Sequence, residues 1–374
     1  MIKRYLENII RENLFKGKAI VIIGARQVGK STLLDIVAGG LDVKIAKFNC
    51  DIKNVRDAFE NATLNELGLI IGNARVVIID EAQRVGNIGI TLKLIADNFP
   101  DVQLLVTGSS SLELQSDVVE PLTGRKLEYY LYPIYSGELM DTFGYLETKQ
   151  MLESRLIYGS YPDIINNPAM SRELIMNLSG SYLYKDILEL EGVRKPMLLE
   201  KLLVALALQI GSEVSYNELA QTIGSDPKTV EKYVDLLEQC YIVFVVNAFS
   251  RNIRNEIKKG KKIYFYDNGV RNAVIQNFAP VSMRNDMGML WENFFVSERV
   301  KRNEYTRSFS KIYFWRTTQQ QEIDFVEERD GMFEAFEMKW NPKKANAKIP
   351  AIFESTYQMK SFNVVTPENY LEFV

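Results

Sequence analysis

The segment Gly24-Ala25-Arg26-Gln27-Val28-Gly29-Lys30-Ser31 constrains this chain more than any other. It satisfies GxxxxGK[ST] in full. It lies between a short apolar run, Lys18 to Ile23, and a stretch that resumes helical spacing at Ser31-Thr32-Leu33-Leu34. A strand that breaks into a glycine-containing loop and then into a helix directs successive backbone N–H groups and the helix N-terminus at one spot. That spot favours phosphate oxygens. The pattern predicts a loop from Gly24 through Thr32 that cradles ATP, with Lys30 bridging the β- and γ-phosphates and the Ser31 hydroxyl coordinating Mg²⁺.

Two further strands follow from the same reading. Val76 to Ile79 ends in Asp80-Glu81, and Val102 to Val106 ends in Thr107-Gly108-Ser109. Strands alternating with helical segments predict an α/β fold with a parallel sheet. Such sheets carry their sites at the C-terminal strand ends. Asp80 there suits a carboxylate that holds magnesium, and Glu81 one that polarises the attacking water. A glutamate in that place speaks for hydrolysis over a metabolic kinase. Thr107 and Ser109 could sense the γ-phosphate by hydrogen bonding, or simply form a polar strand-to-loop turn. Arg125, in Leu122-Thr123-Gly124-Arg125, reads either as an arginine finger for a neighbouring copy's nucleotide, which requires a homo-oligomer, or as a surface arginine. Arg26 and Arg84 lie closer to the loop in sequence.

Composition narrows the chemistry. The 374 residues include no histidine and only Cys50 and Cys240. Ser-His-Asp and Cys-His hydrolysis, histidine-ligated metals and a disulfide framework are thereby excluded. Carboxylates, lysines and magnesium-like ions remain. A net charge of −3 gives no global nucleic-acid signal, so any such contact needs a local basic patch. No apolar run approaches the ~20 residues of a membrane span, and the charged start Met1-Ile2-Lys3-Arg4 lacks a signal-peptide core. The expectation is a cytoplasmic protein without a membrane partner.

Beyond the first sheet, residues 1–18 read as an amphipathic helix, and residues from about 135 to 200 as helical with a turn at Gly159-Ser160-Tyr161-Pro162. Residues 198–270 suggest a winged helix. Leu198 to Ile210 forms one helix, Ser215 caps a second over Tyr216 to Ile223, and Asp226-Pro227 opens a third bearing Val230, Tyr233, Val234 and Leu237 at helical spacing. Two strand-like runs, Tyr241 to Phe249 and Lys262 to Tyr266, flank a basic wing. The third helix mixes Lys228 and Lys232 with Asp226, Glu231, Asp235 and Glu238, a poor surface for a polyanion. The wing carries Arg251, Arg254, Lys258, Lys259, Lys261 and Lys262 against Glu256, and could contact DNA phosphates without reading sequence. It could equally be a solvated loop, or the module a lid over the nucleotide.

The loop, Asp80-Glu81-Ala82-Gln83-Arg84, Thr107-Gly108-Ser109-Ser110 and Leu122-Thr123-Gly124-Arg125 resemble prokaryotic AAA-superfamily ATPases that carry a C-terminal domain of unknown function. The resemblance continues through Tyr158-Gly159-Ser160-Tyr161-Pro162, Tyr184-Lys185-Asp186-Ile187, Tyr264-Phe265-Tyr266-Asp267, Trp291-Glu292-Asn293, Phe314-Trp315-Arg316 and Glu337-Met338-Lys339. Ala25 stands where the family often has proline, at a position that contributes backbone only. The resemblance implies an ATPase domain over 1–140, a helical connection over 141–197, the winged helix over 198–270 and a restriction-endonuclease-like domain over 271–374. In that last domain Glu337 and Lys339 share a strand face, with Asp324 on the neighbouring strand and Glu292 on the preceding helix. Asp324 and Glu337 would hold Mg²⁺, Glu322 would assist, and Lys339 would activate water or stabilise the phosphorane. Two readings follow. One is an ATPase whose nucleotide state controls a nuclease-like module acting on DNA. The other is a nucleotide-dependent switch that binds a protein partner through an inactive nuclease-like adaptor.

Overall fold

The computed structural model describes residues 2–108, 122–180, 195–250, 260–317 and 319–374. It divides into two compact units, Met1–Tyr132 with Gln239–Tyr241, and Pro133–Glu238 with Ile242–Val374.

The first unit is built on β1 (Ala19–Ile23), β2 (Ile45–Asn49), β3 (Val76–Asp80), β4 (Gln103–Gly108) and β5 (Lys126–Tyr130), in the order β2-β3-β4-β1-β5. All four pairings are parallel. β1, Ala-Ile-Val-Ile-Ile, and β3, Val-Val-Ile-Ile-Asp, are buried along their whole length. Both are β-branched runs of the kind that a two-sided parallel sheet demands. Each such side chain contributes roughly 1.5–3 kcal/mol on burial. β2 and β5 are only half-buried, which is why neither shows an apolar run in the sequence. The helix α1 (Tyr5–Asn13) sits against α2 (Lys30–Gly39) through Arg11, whose guanidinium donates to the Ile36 and Val37 carbonyls at 2.9 and 3.1 Å. Those carbonyls lie in the last turn of α2, where a cation satisfies both the orphan acceptors and the helix dipole.

The second unit begins with short helices between Ser136 and Leu178. Helices Pro196–Leu208, Tyr216–Ile223 and Pro227–Gln239 follow, with β6 (Glu213–Val214) between the first two. Ser215 precedes its helix without a side-chain cap bond, whereas Asp226 accepts the Thr229 N–H at 3.0 Å. β7 (Val243–Ala248) and β8 (Lys261–Phe265) form an antiparallel pair, and β6 adds to β8. The remaining strands are β9 (Lys311–Arg316), β10 (Glu322–Arg329), β11 (Met332–Met338) and β12 (Met359–Val365). One mixed sheet runs β12-β11-β10-β9-β7-β8-β6 and so joins strands on both sides of residue 270. The joint is a short parallel pairing, Asn247 with Tyr313 and Ala248 with Phe314.

The helix Met287–Tyr305 is the spine of this unit, placing Trp291, Phe294 and Phe295 in a core with Phe314, Phe325 and Phe336. Several of its polar residues are buried and paired. Arg299 makes a bidentate contact with Glu327 at 2.8 and 2.6 Å, and Glu298 accepts from the Ser136 N–H and Lys301. The motifs that carry the resemblance here are structural pins. Asn293 accepts from the Phe265 N–H at 2.7 Å and donates to its carbonyl at 3.0 Å, and the Trp291 indole donates to the Val365 carbonyl. Asp267 accepts the Ser160 N–H at 2.7 Å. Gly159, at φ +85°, is obligatory beside it, because a Cβ would lie 1.9 Å from Asp267 Oδ1.

Candidate active site

At the C-terminal end of β1 the chain enters the loop through Gly24, where a Cβ would stand 2.1 Å from the Leu131 carbonyl oxygen. Gln27 (φ +61°) and Gly29 (φ +96°) adopt left-handed backbone, the alternation that turns successive N–H groups into one concavity. Lys30, almost fully buried, donates to the Gly24 and Ala25 carbonyls at 2.8 and 2.9 Å. Arg26 and Val28 complete the loop, and Thr32 lies in the first turn of α2. Arg4, ahead of α1, braces this loop from behind. One guanidinium nitrogen donates to the Val28 carbonyl at 2.7 Å and the other to the Tyr132 carbonyl at 2.6 Å.

Inserting β4 between β1 and β3 sets Thr107 beside Asp80. Three groups converge there. The Ser31 hydroxyl donates to Asp80 Oδ1 at 2.9 Å, and the Thr107 hydroxyl donates to the same oxygen. Thr107 Oγ1 in turn accepts the Glu81 N–H at 3.0 Å. Thr107 is fully buried, and its hydroxyl is engaged with Asp80 and Glu81. Ser109 lies outside the described residues. Glu81 sits at φ +54°, ψ +44°, a left-handed conformation that costs a non-glycine residue roughly 1–3 kcal/mol. Its carboxylate accepts from Gln83 Nε2 at 2.6 Å. Cys50 packs beneath, and burial, followed by the charge of Asp80, pushes its thiol up to about 12.

Arg125 is elsewhere. Its carbonyl accepts the Ala19 N–H at the start of β1, whereas the loop follows the end of that strand. Five residues of strand, roughly 16 Å at ~3.3 Å each, separate them. Its side chain pairs with Asp97. Arg84 lies 3.6 Å from Asp51.

In the second unit, Glu292, Asp324, Glu337 and Lys339 come together, with two neighbours that pattern reading placed differently. Lys262, expected on the wing surface, is buried. Its ammonium lies 3.1 Å from Glu292 Oε1 and 2.9 Å from Glu322 Oε1. The Tyr264 hydroxyl donates to Glu292 Oε1 at 2.6 Å. Lys261 stands 4.5 Å over the Tyr216 ring, and residues 251–259 lie outside the described chain. Asp324 accepts the Met338 N–H at 2.9 Å, and Glu337 pairs with Lys339 at 2.5 Å. Burial pushes Glu292 up to about 7 against the pull of Lys262, with Asp324 adding to the rise. Burial also raises Asp324 and Glu337. Burial alone would lower the Lys262 ammonium, but Glu292, Asp324 and Glu322 hold it above its ordinary value. Among the described residues no group of three or more cysteine or carboxylate side chains is arranged to hold a metal. Of the two carboxylates expected as Mg²⁺ ligands, Asp324 accepts a backbone N–H through Oδ2 and Glu337 accepts from the Lys339 ammonium through Oε1.

Sequence reading missed Arg4, Gln83, Tyr264 and the placement of Lys262. Only Gln83, two residues beyond Glu81, carried any local signal.

Among the described residues no helix is long and apolar enough to cross a membrane. Residues 149–281 match a domain of unknown function (DUF8612), and residues 287–371 another (DUF4143). The chain is 25% identical over 334 residues to an uncharacterized protein of Mycobacterium tuberculosis, covering 88% of this chain and 72% of that one. It is 23% identical over 340 residues to an uncharacterized protein of Methanocaldococcus jannaschii, covering 85% and 74%. Among solved structures, the Thermotoga maritima RuvB Holliday junction branch migration motor aligns at 16% identity over 70% of this chain and 92% of that one, with a TM-score of 0.34. Residues 16–140 match an AAA domain, and with the parallel sheet and loop they form an AAA-type P-loop fold.

Proposed function

We propose that the first unit binds MgATP on the Gly24–Thr32 loop and hydrolyses it. The observation that supports this best is the convergence of the Ser31 and Thr107 hydroxyls on Asp80 Oδ1. The Ser31 hydroxyl donates its hydrogen bond to Asp80, which leaves the lone pairs of its oxygen available to a magnesium ion. The donor set therefore fits that ion. Magnesium, when bound with the nucleotide, neutralises charge on the phosphate oxygens. Lys30 exchanges the loop carbonyls for the β- and γ-phosphates. Glu81, held by Gln83 and by its own backbone bond to Thr107, orients the attacking water. The position of Arg125 fits action on a neighbouring copy's nucleotide and not on its own, which makes a homo-oligomer part of this reading.

The second unit is read as an adaptor that couples nucleotide state to a protein partner. Its order of helix, strand, helix, helix and hairpin supports a winged-helix reading, and its C-terminal sheet is read as restriction-endonuclease-like. The lysine inside the carboxylate cluster favours the adaptor over an active nuclease. Magnesium-dependent ATP hydrolysis by the pure protein, with and without double- and single-stranded DNA, tests both halves. Turnover that ignores DNA, with no cleavage, supports this reading. Turnover stimulated by DNA and weakened by rising salt restores the DNA-directed one. No turnover under any condition removes the hydrolase.

A further inference from the structure

We propose that Lys262 is the resident cation of the acidic pocket in the second unit, and that the pocket takes no divalent metal while this lysine is in place. The inference is independent of whether the first unit hydrolyses ATP.

Four carboxylates, Glu292, Glu322, Asp324 and Glu337, meet two ammonium groups, Lys262 and Lys339. Lys262 touches Glu292 and Glu322 at once, bridging a helix and a strand. An ammonium is a compact charge with three donors, and here it fills the role a metal would fill. Mg²⁺ binds at 2.0–2.1 Å in near-ideal octahedral geometry and uses protein oxygens that are free to turn toward it. One oxygen of each of three carboxylates is already engaged. Glu292 Oε1 already accepts from Lys262 and Tyr264, Asp324 Oδ2 from the Met338 N–H, and Glu337 Oε1 from Lys339.

Lys262 is also anchored in the sheet and buried along its side chain. Its backbone is fixed in β8 between Val246 of β7 and Glu213 of β6. Its side chain is 4% exposed, and its ammonium lies 5.3 Å from the centre of the Phe314 ring. A metal entering between Glu292 and Glu322 would have to displace this buried cation. The result is a joint, with charge supplied from within, that ties the β7–β8 hairpin to the helix Met287–Tyr305 and to β10.

The test is Mn²⁺ titration of the nucleotide-free full-length protein, followed by the electron paramagnetic resonance signal of the free ion. Wild type and Asp324→Asn should bind alike, because the pocket contributes nothing. Lys262→Met should gain one site per chain, at least tenfold tighter than any wild-type site, and Lys262→Met/Asp324→Asn should lose it. A wild-type site that disappears in Asp324→Asn overturns the proposal, as does a folded Lys262→Met that gains none. If Lys262→Met fails to fold, the comparison of wild type with Asp324→Asn decides alone: equal binding supports the proposal and a difference overturns it.

Discussion

Replacing Thr107 by valine keeps the volume of a fully buried side chain and deletes only its hydroxyl. Two bonds go with it. One is donated to a carboxylate oxygen of Asp80, and hydrogen bonds to charged groups contribute roughly 1.5–3 kcal/mol. The other holds the Glu81 N–H, at a residue whose left-handed backbone persists only while its surroundings enforce it. An N–H left without that hydroxyl adds about 1–3 kcal/mol of cost if it stays buried. The two sum to about 2.5–6 kcal/mol, and the lower end of that range is taken as divided between stability and alignment of the two carboxylates. If half is felt only in the transition state, kcat falls roughly 10-fold, and if most is, roughly 100-fold. Nucleotide affinity should stay within about threefold, since the hydrogen bonds of the Thr107 hydroxyl go to Asp80 and Glu81. Steady-state hydrolysis, nucleotide titration and denaturant unfolding of Thr107→Val separate these effects, and Thr107→Ser should restore the rate. A Thr107→Val enzyme with unchanged kcat would refute the reasoning that Thr107 aligns Asp80 and Glu81.

Arg4→Ala removes both braces behind the loop, so affinity for a fluorescent ATP analogue should fall about tenfold, the equivalent of one charge-assisted bond. Gly159→Ala drives a methyl into Asp267 at a left-handed position, and should destabilise the protein to denaturant by about 2–4 kcal/mol. Glu292 has a folded pKa of about 7, above its ordinary 4.5, so its contribution to stability is full below about 4.5 and is lost as pH rises through 7. Glu292→Gln keeps an acceptor for Tyr264 and should flatten that decline, which is at most about 3 kcal/mol, in thermal unfolding followed from pH 5 to 8.

The loop and the two carboxylates after β3 were legible because their geometry is local. A strand, a glycine turn and a helix cap lie within one stretch of chain, and Asp80 ends an uninterrupted apolar run. What was not legible depends on contacts distant in sequence. Arg4 reaches Tyr132 across 128 positions, and no pattern near either residue announces it. The half-buried strands β2, β5 and β12 gave no apolar signal. Lys262 read as one more charge in a basic stretch. Strand alternation cannot say whether a lysine at a strand's first positions faces water or a carboxylate cluster contributed by residues 292 and 322. The continuity of the second sheet rests on a two-residue parallel pairing, too short to leave a periodicity.

The measurement that bears most directly on the central claim is nucleotide retention by Glu81→Gln beside Lys30→Ala, each incubated with MgATP and passed over a desalting column before the bound nucleotide is identified. The expected result is that Glu81→Gln emerges with unhydrolysed ATP bound, wild type with ADP or nothing, and Lys30→Ala with nothing. Turnover of Glu81→Gln at the wild-type rate would contradict the assignment of Glu81 as the residue that orients water. Nucleotide retained by Lys30→Ala as by wild type would contradict the assignment of the loop itself.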